Sequence, residues 1–213
     1  MRLRRYIFSP QYRAFLRWQA ASGDEILRYD YDLMRDDIVF DVGAFKGEFA
    51  KVVAERFGCA VHAFEPVEAF ADEAAARTAE LTNVHVHRYG LADRAQTAAI
   101  SVAGLASSRN TRGGTSVIAR FSDVTATMRE LAPHGVALMK LNIEGDEYQV
   151  LRRMIDAGLM SSVRNLQVQF HLLRFGDRWR YWSLRKRLEK THVLIWRYPF
   201  IWESWRLKLP VQR

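Results

Sequence analysis

The chain has 213 residues, 49% of them hydrophobic and 26% charged, which is enough for one sizeable core and typical of a folded globular protein. No apolar run is long enough to cross a bilayer, and Cys59 is the single cysteine, which excludes an internal disulfide and a cysteine-based metal site. The net charge of +8 favours an anionic partner such as a nucleic acid, a sugar phosphate or an acidic lipid.

The first 35 residues are predicted to form a basic, helical N-terminal extension, followed by one α/β domain over residues 36–213. Ser9, Gln11 and Arg13 interrupt the apolar residues near the start, so the segment does not resemble a signal peptide. We therefore expect a cytoplasmic location. Basic residues concentrate at both ends of the chain, either as a solvated surface or as an attraction for an anionic acceptor or the inner face of the membrane.

The stretch IVFDVGAFKGEFAKVV, residues 38–53, predicts a buried strand, a tight turn and a helix. Gly43 and Gly47 would let the backbone approach a ligand, but neither the dinucleotide fingerprint nor the phosphate-binding P-loop is present. Asp41 and Glu48 would repel a pyrophosphate at this helix start, which favours a cationic nucleotide. S-adenosylmethionine fits this requirement, because it carries an ammonium and a sulfonium but no phosphate. The alternative is an ordinary turn with solvated acidic residues and no ligand.

A second strand, CAVHAFEP, is predicted to end at Glu65 and to be followed by a helix over about residues 67–81. A third strand is predicted in NVHVHRYGLAD, which includes Val84 and Leu91. Alternating strands and helices of this length predict a parallel sheet with helices on both faces and a ligand at the carboxyl ends of the strands. Glu65 lies 24 residues after Asp41, where an acidic residue is expected to accept hydrogen bonds from ribose hydroxyls.

The alternation of strands and helices is interrupted over residues 97–121. Two strands, TAAISVAG and TSVIARF, are predicted there on either side of the polar segment LASSRNTRGG. An ordinary hairpin is the favoured interpretation, and a mobile arginine-bearing loop over an acceptor site is the alternative. The later predicted elements are a helix near 124–131, a strand over 136–143, a helix over 146–157, a strand over 165–171, a helix over 178–190 and two closing strands around Pro199.

The fourth large strand ends in KLNIEGDEYQVL, and its alternation predicts that Lys140, Asn142 and Glu144 share one face. A polar row at the carboxyl end of a buried strand indicates a functional crevice.

The segments FDVGAFKGEFA, AFEP and MKLNIEGDEYQVL, in this order, resemble the FkbM family of S-adenosylmethionine-dependent methyltransferases, over about residues 37–171. The resemblance implies an α/β class I methyltransferase fold, Rossmann-like, with a seven-stranded, mostly parallel sheet. It also implies that S-adenosylmethionine is the cofactor and that a hydroxyl, often on a sugar or secondary metabolite, accepts the methyl group. The expected cofactor-binding residues are Asp41, Gly43, Ala44, Phe45, Gly47, Glu65, Pro66, Leu91 and Asn142.

Two positions depart from the family pattern, because Asn142 and Gln169 stand where carboxylates are expected. Methylation of an alcohol requires a base, and an amide cannot serve as one, so Asn142 is expected to hold the cofactor or orient the acceptor. The expected catalytic residues are His171, Asn142, Glu144 and Lys140.

His171 is the preferred base, on the predicted face of Gln167 and Gln169, although a structural role for this histidine stays open. Glu147 is another carboxylate within reach, but it could instead cap the following helix. Glu144 could brace the turn before the next glycine, and Lys140 could pair with either carboxylate. No metal is expected in this cluster.

The leading hypothesis is therefore an O-methyltransferase acting on a hydroxyl of a sugar, glycan or other secondary metabolite, and an anionic or lipid-linked acceptor is one option. A nucleic-acid methyltransferase, such as one acting on RNA, is an alternative on charge, although no RNA-binding module is apparent. A catalytically degenerate, cofactor-binding scaffold is another alternative. The tryptophan-rich C-terminal region could contact sugar rings, although core packing is the more common role of such residues. The oligomeric state stays open.

Overall fold

The fold, taken from a computed structural model, is described for residues 9–103, 106–108 and 115–209. The strands in these ranges are β1 (Ile38–Val42), β2 (Ala60–Phe64), β3 (Val84–His87), β4 (Gly90–Ala92), β5 (Gln96–Ala103), β6 (Ala106–Ser108), β7 (Thr115–Asp123), β8 (Val136–Leu141), β9 (Val163–Val168), β10 (His192–Tyr198) and β11 (Trp202–Leu207). The α-helices are α1 (Pro10–Ala20), α2 (Glu48–Phe57), α3 (Glu68–Arg77), α4 (Val124–Leu131), α5 (Glu147–Asp156) and α6 (Asp177–Leu188). Short 3-10 helices cover Leu27–Tyr29 and Leu159–Ser162.

A seven-stranded sheet in the order β10-β11-β9-β8-β1-β2-β3 forms the centre of the molecule. The five strands from β9 to β3 are parallel, whereas β11 is antiparallel to both β9 and β10. This is the predicted α/β class I methyltransferase architecture. The parallel strands bring the ends of β1, β2, β8 and β9 to one edge of the sheet, where a ligand site is expected.

Two apolar clusters cover the two faces of this sheet, as the prediction of helices on both sides requires. One cluster combines the sheet with α4, α5 and α6, and its members include Met128, Leu151 and Leu184. The other combines the sheet with α2 and the segment after α1, through residues such as Phe49 and Tyr29. The central strands are buried on both faces, which explains why they read as continuous apolar runs.

The predicted third strand is wrong in extent, because two separate strands occupy it. β3 ends at His87 and pairs with β2, whereas β4 leaves the main sheet and pairs parallel with β7. β4, β7, β5 and β6 form a second, four-stranded sheet that was not predicted. The chain changes sheets after His87, which no hydropathy pattern marks.

The predicted antiparallel pairing of β5 with β7 is confirmed. Ala106–Ser108, predicted as part of a polar loop, instead forms β6 and pairs with β5. The rest of that proposed arginine-bearing loop lies outside the described residues.

The closing antiparallel pair around Pro199 is confirmed, with Tyr198 opposite Trp202. The tryptophans of the C-terminal region differ in burial: Trp202 and Trp205 are buried, whereas Trp179 is 74% exposed and Trp182 is 52% exposed.

The N-terminal helix α1 packs against this closing pair. The indole of Trp18 is buried against the rings of Trp196 and Tyr198. The division of the chain at residues 35 and 36 stays a prediction. In the described part of the chain, no helix has the length and apolarity required to cross a membrane.

Candidate active site

The glycine turn after β1 has the predicted strand, turn and helix geometry, and two glycines in it cannot be replaced without strain. Gly43 has φ +79°, and a Cβ there would lie 2.1 Å from the carbonyl oxygen of Asn142. Gly47 has φ +76° and immediately precedes α2, where a Cβ would lie 2.9 Å from the Cβ of Ala74. Both positions therefore require glycine, because the backbone is left-handed and the neighbouring segments approach closely.

A buried ion pair lies beneath this turn. The Lys140 ammonium lies 2.8 Å from an Asp41 carboxylate oxygen and donates a hydrogen bond of 2.7 Å to the Gly43 carbonyl. Burial lowers the pKa of Lys140, and the neighbouring Asp41 opposes that shift. The possibility that Lys140 pairs with Glu144 or Glu147 is not realised, since its ammonium group contacts Asp41 of β1 and the Gly43 carbonyl of the glycine turn.

The position of Asp41 corrects one argument from the sequence. Its carboxylate is fully buried and compensated by Lys140, so it does not present an isolated negative charge to a ligand. Glu48, which is exposed at the start of α2, is the acidic residue of this motif that faces solvent. A cofactor role for Asp41 stays a prediction and would act through the turn that Lys140 ties to β1.

Glu65 follows β2 and braces the glycine turn from the neighbouring strand. Its two carboxylate oxygens accept hydrogen bonds from the N–H groups of Phe45, at 2.8 Å, and Val67, at 2.9 Å. Burial raises the pKa of Glu65 to about 7, and these two hydrogen bonds only partly oppose the shift. A carboxylate has about four acceptor positions, so Glu65 keeps capacity for ribose hydroxyls.

The other predicted cofactor residues follow β1 and β2 or, in the case of Leu91, lie in β4 of the second sheet. Phe45 has φ +52° and packs edge to face against Phe70, with ring centroids 4.6 Å apart. Ala44 is buried beside it, Pro66 directly follows Glu65, and Leu91 is buried in β4. Whether each of them contacts cofactor stays a prediction.

Asn142 carries an unsatisfied acceptor beside the turn. Its side-chain oxygen Oδ1 is buried and has no hydrogen-bond partner in the described part of the chain. Because a buried polar atom without a partner is costly, this oxygen fits a ligand that brings a hydrogen-bond donor.

Glu147 braces the turn that follows β8. The Glu147 carboxylate is buried at the start of α5 and accepts hydrogen bonds of 3.0 Å from the N–H groups of Ile143 and Gly145. Glu144 lies at φ +52°, outside the strand. β8 ends at Leu141, so the strand alternation predicted for Asn142 and Glu144 does not extend through this turn.

His171 is held against the same carboxylate. Its Nδ1 lies 2.8 Å from a Glu147 oxygen, and its Nε2 lies 3.5 Å from a Glu144 oxygen. Burial lowers the pKa of His171, but the hydrogen bond and charge of Glu147, together with the charge of Glu144, outweigh it and raise the pKa overall. The hydroxyl of Tyr148 donates to the His171 carbonyl at 2.9 Å and fixes the backbone.

The prediction that His171 ends the fifth strand on the face of Gln167 is wrong. β9 ends at Val168, three residues earlier, and the Gln167 side chain reaches Arg28 and Tyr31 near the other cluster. The sequence nevertheless identified His171, Glu144 and Glu147 as neighbours of one site. The missed feature is the direct Glu147–His171 hydrogen bond between α5 and the segment after β9.

The arrangement therefore combines a rigid glycine turn with a histidine whose Nδ1 is bound to a buried carboxylate. A model of the Methyltransferase FkbM domain matches residues 41–192, well over half of the sequence. The chain belongs to the FkbM methyltransferase family. Like that family, it is an S-adenosylmethionine-dependent methyltransferase. No curated protein sequence matches it significantly.

Solved structures with a similar fold include a candidate rRNA methylase from Clostridium thermocellum, with 12% identity, a TM-score of 0.56 and coverage of 90% of this chain and 96% of that one. An rRNA methylase from Streptococcus thermophilus has 9% identity, a TM-score of 0.52 and coverage of 83% and 90%. A candidate methyltransferase from Streptococcus mutans, solved with S-adenosylhomocysteine, has 10% identity, a TM-score of 0.52 and coverage of 83% and 91%. At these identities the likeness establishes the fold alone.

The residues of this FkbM methyltransferase fit its cofactor. Asn142 offers an unsatisfied buried acceptor, Glu65 offers further acceptor capacity, and Gly43 and Gly47 open the backbone between them. These residues would hold S-adenosylmethionine at the carboxyl ends of β1, β2 and β8.

Replacement of Glu65 by alanine is expected to weaken S-adenosylmethionine binding by about 1–3 kcal/mol, because it removes acceptors for ribose and for the turn. Since the pKa of Glu65 is about 7, wild-type affinity should rise with pH through that value, as the carboxylate ionises, and the variant should lose this dependence. Isothermal titration calorimetry at several pH values measures both effects.

Glu68→Ala, which removes an exposed acid three residues later, is the matched control. Unchanged affinity in Glu65→Ala, or tight binding of NAD by the wild-type protein, would contradict the assigned role.

Proposed function

We propose that this methyltransferase transfers its methyl group to a hydroxyl of a sugar, a glycan or another secondary metabolite, with His171 as general base. The observation that carries this proposal is the hydrogen bond of 2.8 Å between His171 Nδ1 and buried Glu147. A nitrogen acceptor with a free electron pair needs no such base, whereas an alcohol must lose a proton as the new bond forms.

S-adenosylmethionine supplies the electrophilic methyl group when it is bound. The Nδ1–H of neutral His171 donates a hydrogen bond to the Glu147 carboxylate, and this leaves the electron pair of Nε2 to take the hydroxyl proton. The charges of Glu147 and Glu144 then stabilise the imidazolium that forms. Asn142 orients and does not ionise, since an amide has no acid-base function at neutral pH.

The methyl-transfer rate is expected to rise with pH through a limb above about 6.5, the ordinary pKa of histidine. The rate rises with pH because the base acts only when it is neutral. The limb lies above the ordinary value because the pKa of His171 is raised. Glu144→Gln removes one of the charges that raise this pKa, so its limb should lie at lower pH. A pH–rate profile of both proteins tests the proposal, and identical limbs would count against it.

Activity is expected to survive chelation of divalent metals. The Glu147 oxygens already accept two backbone N–H groups and His171, and no group of three or more suitable ligands occurs among the residues that the structure describes. Turnover with and without excess EDTA measures this. Loss of activity that added magnesium restores would refute the metal-free scheme.

RNA methylation is the alternative suggested by the net charge and by two similar structures that are described as rRNA methylases. Those similarities are at 9–12% identity and carry no substrate information. A degenerate scaffold is the other alternative, motivated by Asn142 and Gln169. The intact His171–Glu147 pair favours an active enzyme over that alternative.

A further inference from the structure

A cavity of about 550 Å³ lies between α5 and α6, next to the candidate active site. Its volume is within the range of about 300–1,000 Å³ that is usual for small-ligand pockets. Its lining includes Gly145, whose N–H donates to the Glu147 carboxylate that contacts His171. Four arginines also line it: Arg152, Arg174, Arg180 and Arg187.

Three of these four arginines pair with two aspartates that lie outside the lining. Arg152 and Arg187 share one carboxylate, that of Asp156, at 3.6 Å and 2.5 Å. Arg180 lies 3.2 Å from Asp177, which also accepts two backbone N–H groups from the preceding loop. The described lining itself includes four arginines and no acidic residue, so its charge is positive.

An aromatic face accompanies the arginines. Trp179 lines the cavity and is 74% exposed, which is unusual for so large an apolar side chain. Tyr148, which is buried, lines the cavity near Gly145. Guanidinium groups bind phosphate through paired hydrogen bonds, and a flat aromatic face suits the apolar side of a sugar ring.

We propose that this cavity binds the phosphate group of a phosphorylated sugar acceptor, with Trp179 against the sugar and Gly145 on the side of His171. The inference rests on the proposed function, because it assigns a substrate class to the same site. One concave cavity suits a single small ligand better than RNA, which is usually bound along an extended basic face.

Calorimetry with inorganic pyrophosphate and with uridine diphosphate glucose tests the proposal, and uridine and glucose serve as neutral controls. The wild-type protein should bind both phosphorylated probes and neither neutral one. A double variant with Arg152→Gln and Arg187→Gln should bind both phosphorylated probes about 10-fold more weakly or worse, which is the scale of lost charge-assisted hydrogen bonds. Arg56→Gln, at an exposed position of α2 outside the cavity, is the control and should bind as wild type.

A vesicle assay distinguishes a phosphate carried by a lipid from one carried by a free molecule. The assay is sedimentation with phosphatidylcholine vesicles, with and without phosphatidic acid. Binding that requires phosphatidic acid and that the double variant loses would support the cavity as the site and a lipid as the source of the phosphate. Equal pyrophosphate affinity in the wild type and the double variant would overturn the proposal. RNA binding that the double variant loses, without binding of either phosphorylated probe, would also overturn it.

These binding measurements do not depend on turnover. If the double variant loses pyrophosphate binding and the wild-type protein methylates no sugar, the cavity is a phosphate site and the O-methyl proposal fails. If sugars are methylated equally by the wild type and the double variant, the proposed function stands and the cavity assignment fails.

Discussion

Replacement of His171 by alanine is expected to reduce methyl transfer by about 100-fold or more, the usual contribution of a general base. The affinity for S-adenosylmethionine should be nearly unchanged, because His171 contacts Glu147 and Glu144 and not the glycine turn. Turnover assays and calorimetry on the same preparation measure the two quantities. His171→Gln should be equally slow, although its amide can still donate to Glu147.

The control for this experiment is His134→Ala, at an exposed position before β8. It should keep wild-type activity. If His171→Ala and His171→Gln both stay within a few-fold of the wild-type rate, His171 is a structural residue, and the base must be sought elsewhere.

Replacement of Lys140 by methionine is expected to destabilise the protein by about 3–5 kcal/mol, because it leaves the buried Asp41 carboxylate without its partner. The variant also loses the hydrogen bond to Gly43, so S-adenosylmethionine affinity should fall as well. Urea unfolding measures the free energy of unfolding, and calorimetry measures the affinity.

A double variant with Asp41→Asn and Lys140→Met should recover part of the stability, since it removes the uncompensated charge. Lys51→Met breaks a surface ion pair with Glu55 and should cost less than about 1 kcal/mol. A Lys140→Met protein that unfolds within about 1 kcal/mol of wild type would show that the pair does not stabilise the fold.

Local patterns predicted much of the sheet and the position of the glycine turn. The apolar run that contains Phe40, followed by Gly43 and Gly47, defines strand, turn and helix within a few residues of each other. The family resemblance placed the seven strands in one sheet. Neither source marked the transfer of β4 to a second sheet, because Gly90–Ala92 is as apolar as a strand of the main sheet.

The details of the site depended on long-range register and on backbone irregularity. Asp41 lies opposite Lys140 only because β1 and β8 pair in one register, and residues 99 positions apart carry no local signal of it. The left-handed backbone at Glu144 ends the alternation that the sequence suggested. Glu147, three residues further along the chain, accepts a hydrogen bond from the turn and lies 2.8 Å from His171.

The chemical identity of the methylated atom tests the central claim most directly. The enzyme would be incubated with S-adenosylmethionine labelled with carbon-13 in its methyl group, together with a panel of free sugars, phosphorylated sugars and RNA, and the product examined by NMR and mass spectrometry. We predict a labelled methyl ether on a sugar hydroxyl, formed by the wild-type enzyme and reduced by about 100-fold in His171→Ala. A label found on a nitrogen or carbon of a nucleobase, formed equally by both proteins, would contradict the account.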